Sequence, residues 1–216
     1  VFDVTSETIE YLKTNGWEVY QSQLHGHIHM YRLITMYLTL SQLNRNYRYI
    51  ITTDVRDVVF QKNPSEYLEK NLKNKILVSS ENVKYKDEAW GTKNILEGYN
   101  DILLKRYSDE LSCNVGVLAG EYKSMMDLLL LNYLVSQAGN TEHYTDQSSF
   151  NFIIHNKLVT DSIQIEGLES SWALQLGTIN NTNLIGTHSI DIDEYTIVHQ
   201  YDRNSKINES ITNRYL

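Results

Sequence analysis

The chain has 216 residues, of which 41% are hydrophobic and 21% are charged, and it contains one proline and one cysteine. This composition is typical of one compact folded domain, so it excludes a disordered or fibrous chain, and the single cysteine excludes an intrachain disulfide. The 27 acidic residues outnumber the 19 basic ones, and the formal net charge of -8 argues against nucleic acid as a partner.

Helices and strands are predicted to alternate along most of the chain. A helix is predicted where apolar residues recur at helical spacing, and a strand where a short apolar run lies between turn residues. In chain order, the first half is predicted to contain a helix over residues 6–15, a strand over 17–21, a helix over 28–43, a strand over 47–53, a helix over 64–72 and a strand over 75–80. The second half is predicted to contain a helix over 92–106, a strand over 114–119, helices over 121–137 and 145–155, and strands over 162–165 and 195–200.

This alternation predicts an α/β fold with a mostly parallel central sheet flanked by helices. No repeat or flexible linker divides the chain, so residues 1–216 are expected to form a single domain. The most apolar run, over residues 125–131, is shorter than the ~20 residues that cross a bilayer, so no transmembrane segment is expected. A cytoplasmic location is expected on this basis, although the start at Val1 leaves an upstream signal, anchor or strand open.

The main candidate for chemistry directly follows the strand predicted at residues 47–53. Asp54 and Asp57 place two carboxylates at the end of an apolar strand, with Arg56 between them. Mg²⁺ and Mn²⁺ take oxygen ligands and keep positions open for phosphate oxygens, so the pair predicts a metal that bridges protein and diphosphate. The alternative is structural, because aspartates often cap or turn the chain at such junctions and Arg56 would then neutralise them.

Four short motifs together resemble the metal-dependent glycosyltransferases of the GT-A fold, whose DxD motif holds a divalent cation on a nucleotide sugar. The motifs are DVVFQKNP at residues 57–64, CNVGVLAG at 113–120, TDQSSFN at 145–151 and VHQYDR at 198–203. Their order and separation match that family over about residues 28–203, although each motif alone is weak. The sequence departs from the family pattern because two residues, not one, separate the acids of DVRD. Asp54 would therefore need a bulged backbone to bind the metal, or would contact the nucleotide ribose.

The resemblance implies a metal and a ligand set for it. Mn²⁺ or Mg²⁺ is the expected cofactor, and the expected ligands are Asp54, Asp57 and His199. For His199 the ordinary alternative is a hydrogen-bonded histidine at the end of a strand.

The resemblance also implies residues that bind the substrates. Arg32 is expected to face the diphosphate or the donor sugar, and Asn114 and Gly116 are expected to face the sugar or the acceptor. Asp146 and Gln147 are the expected catalytic residues, with Asp146 binding donor-sugar hydroxyls or acting as base toward the acceptor. Further candidates for contact with the donor are Arg56, Asp202 and Arg203.

These candidates have ordinary structural explanations as well. Asp146 is a residue type that caps helix amides, Arg32 could be a solvated helix residue, and Asn114 could begin a tight strand. Asp202 and Arg203 could pair with each other. Glu81 and Asn82 follow another predicted strand end and could also face the cleft.

Three histidines alternate at residues 25, 27 and 29. In an extended segment their rings would share one side, where they could bind a transition metal. A helix that begins near residue 28 would break this alternation, so an ordinary histidine cluster is the favoured interpretation.

The sequence thus predicts a glycosyltransferase of the hexosyltransferase type. The donor is expected to be a nucleotide sugar, linked to UDP by family tendency, and the acceptor a hydroxyl group of a glycan or another molecule. Two alternatives stay open: a noncatalytic domain that binds a nucleotide sugar or carbohydrate, and a phosphatase of the haloacid dehalogenase type. The phosphatase is disfavoured because Arg56 stands where such enzymes carry their second acid.

Overall fold

The structure is a computed structural model that describes residues 2, 4–43, 45–140, 143, 145–159, 163–179 and 190–215. Within these ranges the helices are α1 (Ser6–Thr14), α2 (Ile28–Gln42), α3 (Pro64–Asn71), α4 (Ala89–Gly98), α5 (Asp101–Tyr107), α6 (Tyr122–Ser136), α7 (Asp146–His155), α8 (Leu176–Ile179) and α9 (Ser205–Tyr215). The strands are β1 (Tyr49–Thr53), β2 (Val58–Phe60), β3 (Ile76–Lys84), β4 (Leu111–Glu121), β5 (Ile163–Glu166), β6 (Ala173–Gln175) and β7 (Ile197–His199). None of the described helices combines the length and apolar character needed to cross a membrane.

Two sheets form the frame of the molecule. The larger sheet has the strand order β1-β4-β3-β5, and the smaller sheet has the order β2-β7-β6. In the larger sheet β4 runs antiparallel to both β1 and β3, while β5 is parallel to β3. In the smaller sheet β7 is antiparallel to β2 and parallel to β6.

The predicted α/β class is confirmed, but the mostly parallel sheet is not. Strands β1, β3 and β5 run in one direction, and the reversed β4 between β1 and β3 makes two of the three pairings antiparallel. The reason lies in the helix predicted over residues 92–106, which is in fact two helices, α4 and α5. These two helices bring the chain back to the C-terminal end of β3. There Lys84, the last residue of β3, pairs with Leu111, the first residue of β4.

Most other predicted elements are present with shifted ends. Asn63 caps α3 by accepting a hydrogen bond from the Ser65 N–H at 3.0 Å, and Pro64 is the first helical residue, as its fixed φ favours. No strand forms over residues 17–21. The elements β2, β6, α8 and α9 were not predicted.

The core lies on both faces of the larger sheet because side chains alternate along each strand. On one face, Val78 of β3 and Leu118 of β4 pack with α6 and α7. On the other face, Leu77 and Val117 pack with Trp172 and with residues of the smaller sheet. The two sheets therefore meet across a shared apolar layer, and the end of β7 lies close to the end of β1.

Candidate metal and substrate site

A group of three possible metal ligands lies where the two sheets meet. Asp54, Asp57 and His199 place ligand atoms within 4.8 Å of one another, and no other such group of three occurs among the described residues. Asp54 follows β1, and its N–H donates to the Gly116 carbonyl at 2.8 Å. A bend and turn over residues 55–57 take up the extra residue of DVRD, so both acids reach the same point.

The His199 ring is oriented by a residue behind it. Its Nδ1 lies 2.6 Å from Gln175 Oε1, and because an amide oxygen only accepts, Nδ1 carries the proton. The other ring nitrogen, Nε2, faces the acids, 3.4 Å from Asp54 Oδ2 and 3.8 Å from Asp57 Oδ1. This nitrogen is buried and makes no hydrogen bond in the described structure. An imidazole that is fixed through Nδ1 and directs Nε2 toward two carboxylates fits a divalent cation, which would bind Nε2 in its unprotonated form.

Gly116 on β4 packs directly against two of these three residues, Asp54 and His199. A Cβ atom at this position would collide with His199 Cε1, and it would lie 2.9 Å from Asp54 Oδ2 and 3.0 Å from Asn114 Oδ1. Glycine therefore leaves the space that the imidazole and the carboxylate occupy. The resemblance predicted Gly116 as a contact for sugar or acceptor, whereas the structure places it directly against two candidate ligands.

Arg32 on α2 joins two carboxylates from different elements. Its Nη1 donates to Asp54 Oδ1, and its Nη2 donates to Asp146 Oδ2 at 3.0 Å. Burial raises the pKa of Asp54, but the neighbouring His199 and Arg32 lower it by more, so the pKa lies well below its ordinary value. The Asp54 carboxylate is thus ionised at neutral pH, as a metal ligand must be.

Two arginines stand at the rim beside the acids. Arg56 Nη2 lies 3.2 Å from Asp202 Oδ2, and Arg203 Nε lies 3.5 Å from Asp202 Oδ1. Both guanidinium groups are exposed, so these ion pairs add little stability and leave the positive groups accessible to an anion.

The buried carboxylate of Glu81 accepts hydrogen bonds from polar side chains of β4 and α7. Glu81 Oε1 accepts from Asn114 Nδ2 at 2.8 Å, and Gln147 Nε2 lies 3.4 and 3.3 Å from the two Glu81 oxygens. Asn114 Oδ1 in turn accepts from the Gly116 N–H at 2.7 Å. Glu81 and Asn82 do not line the cleft, which corrects the expectation that they could face it.

One cleft of about 740 Å³ contains most of the predicted site. All the predicted metal, catalytic and donor-binding residues line it except Asp202. Those that line it are Arg32, Asp54, Arg56, Asp57, Asn114, Gly116, Asp146, Gln147, His199 and Arg203. Residues separated by more than 160 positions in the sequence therefore share one concave surface.

The three alternating histidines do not form a metal site in the described structure. The rings of His27 and His29 stack at 5.3 Å, and the ring of His25 packs on Tyr31 instead. His29 lines the cleft, with Nδ1 4.0 Å from Asp146 Oδ2. Burial lowers the pKa of His29 more than the Asp146 charge raises it, which favours the neutral ring.

Sequence reasoning missed three residues of the site. Gln175 orients His199, Gln200 adopts a left-handed conformation with φ 60° directly after His199, and Trp90 lines the cleft from α4. Gln175 has no motif around it that marks a site, and Gln200 lies within the motif VHQYDR but was not named as a site residue. Trp90 lies before the helix predicted from residue 92, and its position beside the cleft depends on the fold.

Comparison with known proteins shows a shared fold. No model of a known protein family matches the sequence, and no curated protein is significantly similar to it. Among solved structures, the fold is similar to that of a glycosyltransferase involved in the glycosylation of the major capsid of PBCV-1. The TM-score is 0.51 at 10% sequence identity, and the match covers 93% of this chain and 88% of that chain.

Proposed function

We propose that this chain is a metal-dependent glycosyltransferase that moves a sugar from a nucleotide diphosphate donor to an acceptor hydroxyl. The observation that carries the proposal is the group formed by Asp54, Asp57 and His199, whose ligand atoms converge within 4.8 Å in a cleft that also contains exposed arginines. The fold shared with a known glycosyltransferase supports it. A hexose linked to UDP is the proposed donor, and a hydroxyl group of a glycan is the proposed acceptor.

The proposed cofactor is Mn²⁺ in preference to Mg²⁺. Mg²⁺ is bound mainly by oxygen, whereas the third ligand here is the imidazole nitrogen of His199, so the mixed ligand set favours a transition metal. When bound, the metal supplies a Lewis acid that stabilises negative charge on the diphosphate leaving group.

The positive side chains of the cleft have a separate role. Arg56 and Arg203 both lie beside Asp202 and would present two guanidinium groups to the phosphate oxygens. They would stabilise the charge that grows on the diphosphate as the bond to the sugar breaks. Arg32 keeps Asp54 and Asp146 in fixed positions relative to each other.

The sugar would be bound by groups of β4 and α7. The side-chain nitrogens of Asn114 and Gln147 point to Glu81, so a sugar hydroxyl would reach Gln147 through its amide oxygen. Asp146 lines the cleft and is the proposed base that accepts the proton of the acceptor hydroxyl.

Calorimetry with a panel of nucleotide sugars, with and without Mn²⁺, tests this function. We expect one donor class to bind only with Mn²⁺, and product analysis with that donor to show sugar transfer that stops when a chelator is added. Asp57→Asn should weaken Mn²⁺ binding by more than about tenfold, because it removes a charged ligand.

The matched control is Asp109→Asn, which removes a carboxylate that is paired with Lys86 and does not line the cleft. This variant should bind Mn²⁺ and donor like the wild type. Donor binding and transfer that are unchanged in Asp57→Asn, or in the presence of the chelator, would contradict the proposed function.

A further inference from the structure

A half-exposed tryptophan stands beside the charged part of the cleft. Trp90 lies in the first turn of α4, lines the cleft and is 50% exposed. The other cleft-lining residues with large exposed apolar side chains are Ile28 and Val55, neither of which is aromatic. Phe2 and His29 also line the cleft but are half-buried, so Trp90 is the most exposed aromatic residue among the described lining residues.

The backbone that carries this indole is held firmly. Glu88 is buried and accepts hydrogen bonds from the N–H groups of both Trp90, at 2.9 Å, and Gly91. A Cβ atom on Gly91 would lie 2.8 Å from Glu88 Oε2 and 2.9 Å from Tyr85 Cε1, so the helix start packs closely on the residues before it. Because the backbone is fixed, only the two side-chain torsions of Trp90 lose freedom when a ligand covers the ring.

The neighbours of Trp90 indicate what kind of ring would cover it. Helix α4 packs against α7, whose first residues Asp146 and Gln147 also line the cleft. The arginines suited to phosphate come from other segments, beside β2 and after β7. The indole thus lies in the same cleft as Asp146 and Gln147, on a helix that packs against theirs.

A pyranose ring fits this combination. It has C–H bonds on its faces, which pack on an aromatic ring, and hydroxyl groups around its edge, which require carboxylate and amide partners. A nucleobase also stacks on aromatic rings, so the binding of UDP by Trp90 variants must be measured beside that of sugars.

We propose that Trp90 is the stacking surface of a saccharide-binding subsite, and that this subsite takes the sugar that carries the acceptor hydroxyl. The acceptor role rests on the proposed function. The binding of a saccharide does not, because it requires neither metal nor donor.

Saturation-transfer NMR with methyl pyranosides of glucose, galactose, mannose and N-acetylglucosamine tests the subsite, in the absence of nucleotide and metal. We expect saturation of ring C–H protons in at least one sugar. Trp90→Ala should weaken its binding about tenfold, whereas Trp90→Phe should retain part of it. Trp17→Ala is the matched control, because Trp17 is 65% exposed, does not line the cleft and should be dispensable for sugar binding.

Binding of UDP with Mn²⁺, measured by calorimetry on the same variants, separates this inference from the proposed function. We expect Trp90→Ala to bind UDP like the wild type, and thermal melting to show that it is folded. The subsite is overturned if no pyranoside binds the wild type, if Trp90→Ala binds pyranosides normally, or if it loses UDP affinity only. If UDP fails to bind the wild type while pyranoside binding depends on Trp90, the subsite stands and the proposed function fails.

Discussion

Gly116 is the residue on which the shape of the metal site depends most directly. In Gly116→Ala the added methyl group would collide with the His199 ring and come within 2.9 Å of Asp54 Oδ2. The ring must move away, and we expect Mn²⁺ affinity to fall by at least about tenfold, with a loss of about 1 to 3 kcal/mol in the free energy of unfolding. Calorimetry with Mn²⁺ and urea unfolding measure the two effects.

The control for this variant must lower stability without touching the site. Ile95→Val removes a methyl group from a fully buried residue of α4 and should cost about 0.5 to 1.5 kcal/mol. It should leave Mn²⁺ affinity unchanged. If Gly116→Ala binds Mn²⁺ as tightly as Ile95→Val does, the role given to Gly116 is wrong.

At the residue scale, the sequence located the acids and the histidine but not the residues that support them. Asp54, Asp57 and His199 stand in short motifs, and so they could be named before the fold was known. Gln175 could not, because it orients His199 only through a pairing between β6 and β7 that no local pattern encodes.

At the scale of the element, β3 contains an irregularity that places a carboxylate below the cleft. Its register against β4 shifts on both sides of Ser80, and Asn82 has φ 54°. Such irregularities redirect side chains near binding sites. Here the shift turns Glu81 toward Ser112 and Asn114, whose side chains donate to it at 2.6 and 2.8 Å.

Glu81 makes the stability of the fold depend on pH. Burial raises the pKa of Glu81 by more than its hydrogen-bond donors lower it. The unfolded chain therefore loses this proton at a lower pH, near the ordinary value of about 4.3, and stability falls as pH rises from there through the folded pKa. Glu81→Gln cannot ionise, so its unfolding free energy should rise relative to the wild type as the pH increases above about 4.

Urea unfolding at several pH values measures this difference, with Glu209→Gln on the exposed face of α9 as the control. The control should follow the pH dependence of the wild type. If Glu81→Gln follows it as well, then the pKa of Glu81 is not raised by burial in the folded chain.

The elements themselves were predicted unequally. Helix α3 has both a capping residue and a proline at its start, and the prediction placed its start correctly. The break between α4 and α5 was missed, although Asn100 caps α5 by accepting from the Leu103 N–H at 2.9 Å. Apolar spacing continues through this break, and only the return of the chain to β3 requires it.

At the scale of the whole molecule, the proposed metal would join the two sheets. Asp54 follows β1 of the larger sheet, and His199 ends β7 of the smaller one. A ligand that binds only the folded chain stabilises it, by about 2.7 kcal/mol at about 100 times its dissociation constant. For a chain of 216 residues, this corresponds to a rise in Tm of about 5 to 10 °C.

Thermal melting with and without Mn²⁺ measures this rise, and a chelator should reverse it. Asp57→Asn should show no rise at the same metal concentration. An equal rise in both proteins would indicate metal binding elsewhere, and no rise in the wild type would contradict the proposed site.

The global arrangement was predictable only in outline. Alternating helices and strands were enough to predict an α/β fold. The position of β4 between β1 and β3 was not predictable, because strand order depends on pairings between residues as distant as Tyr49 and Glu121. The convergence of Asp54 and His199 is set by the same long-range packing, so the resemblance, and not the local pattern, suggested it.

The only cysteine of the chain offers a built-in probe of how α7 opens. Cys113 is fully buried, and Asn151 of α7 binds both its N–H and its carbonyl at 2.8 Å. Burial raises the pKa of the Cys113 thiol to about 12, so the native protein resists alkylation. The rate of any slow alkylation would therefore report how often α7, which begins at Asp146, separates from the sheet and exposes the thiol.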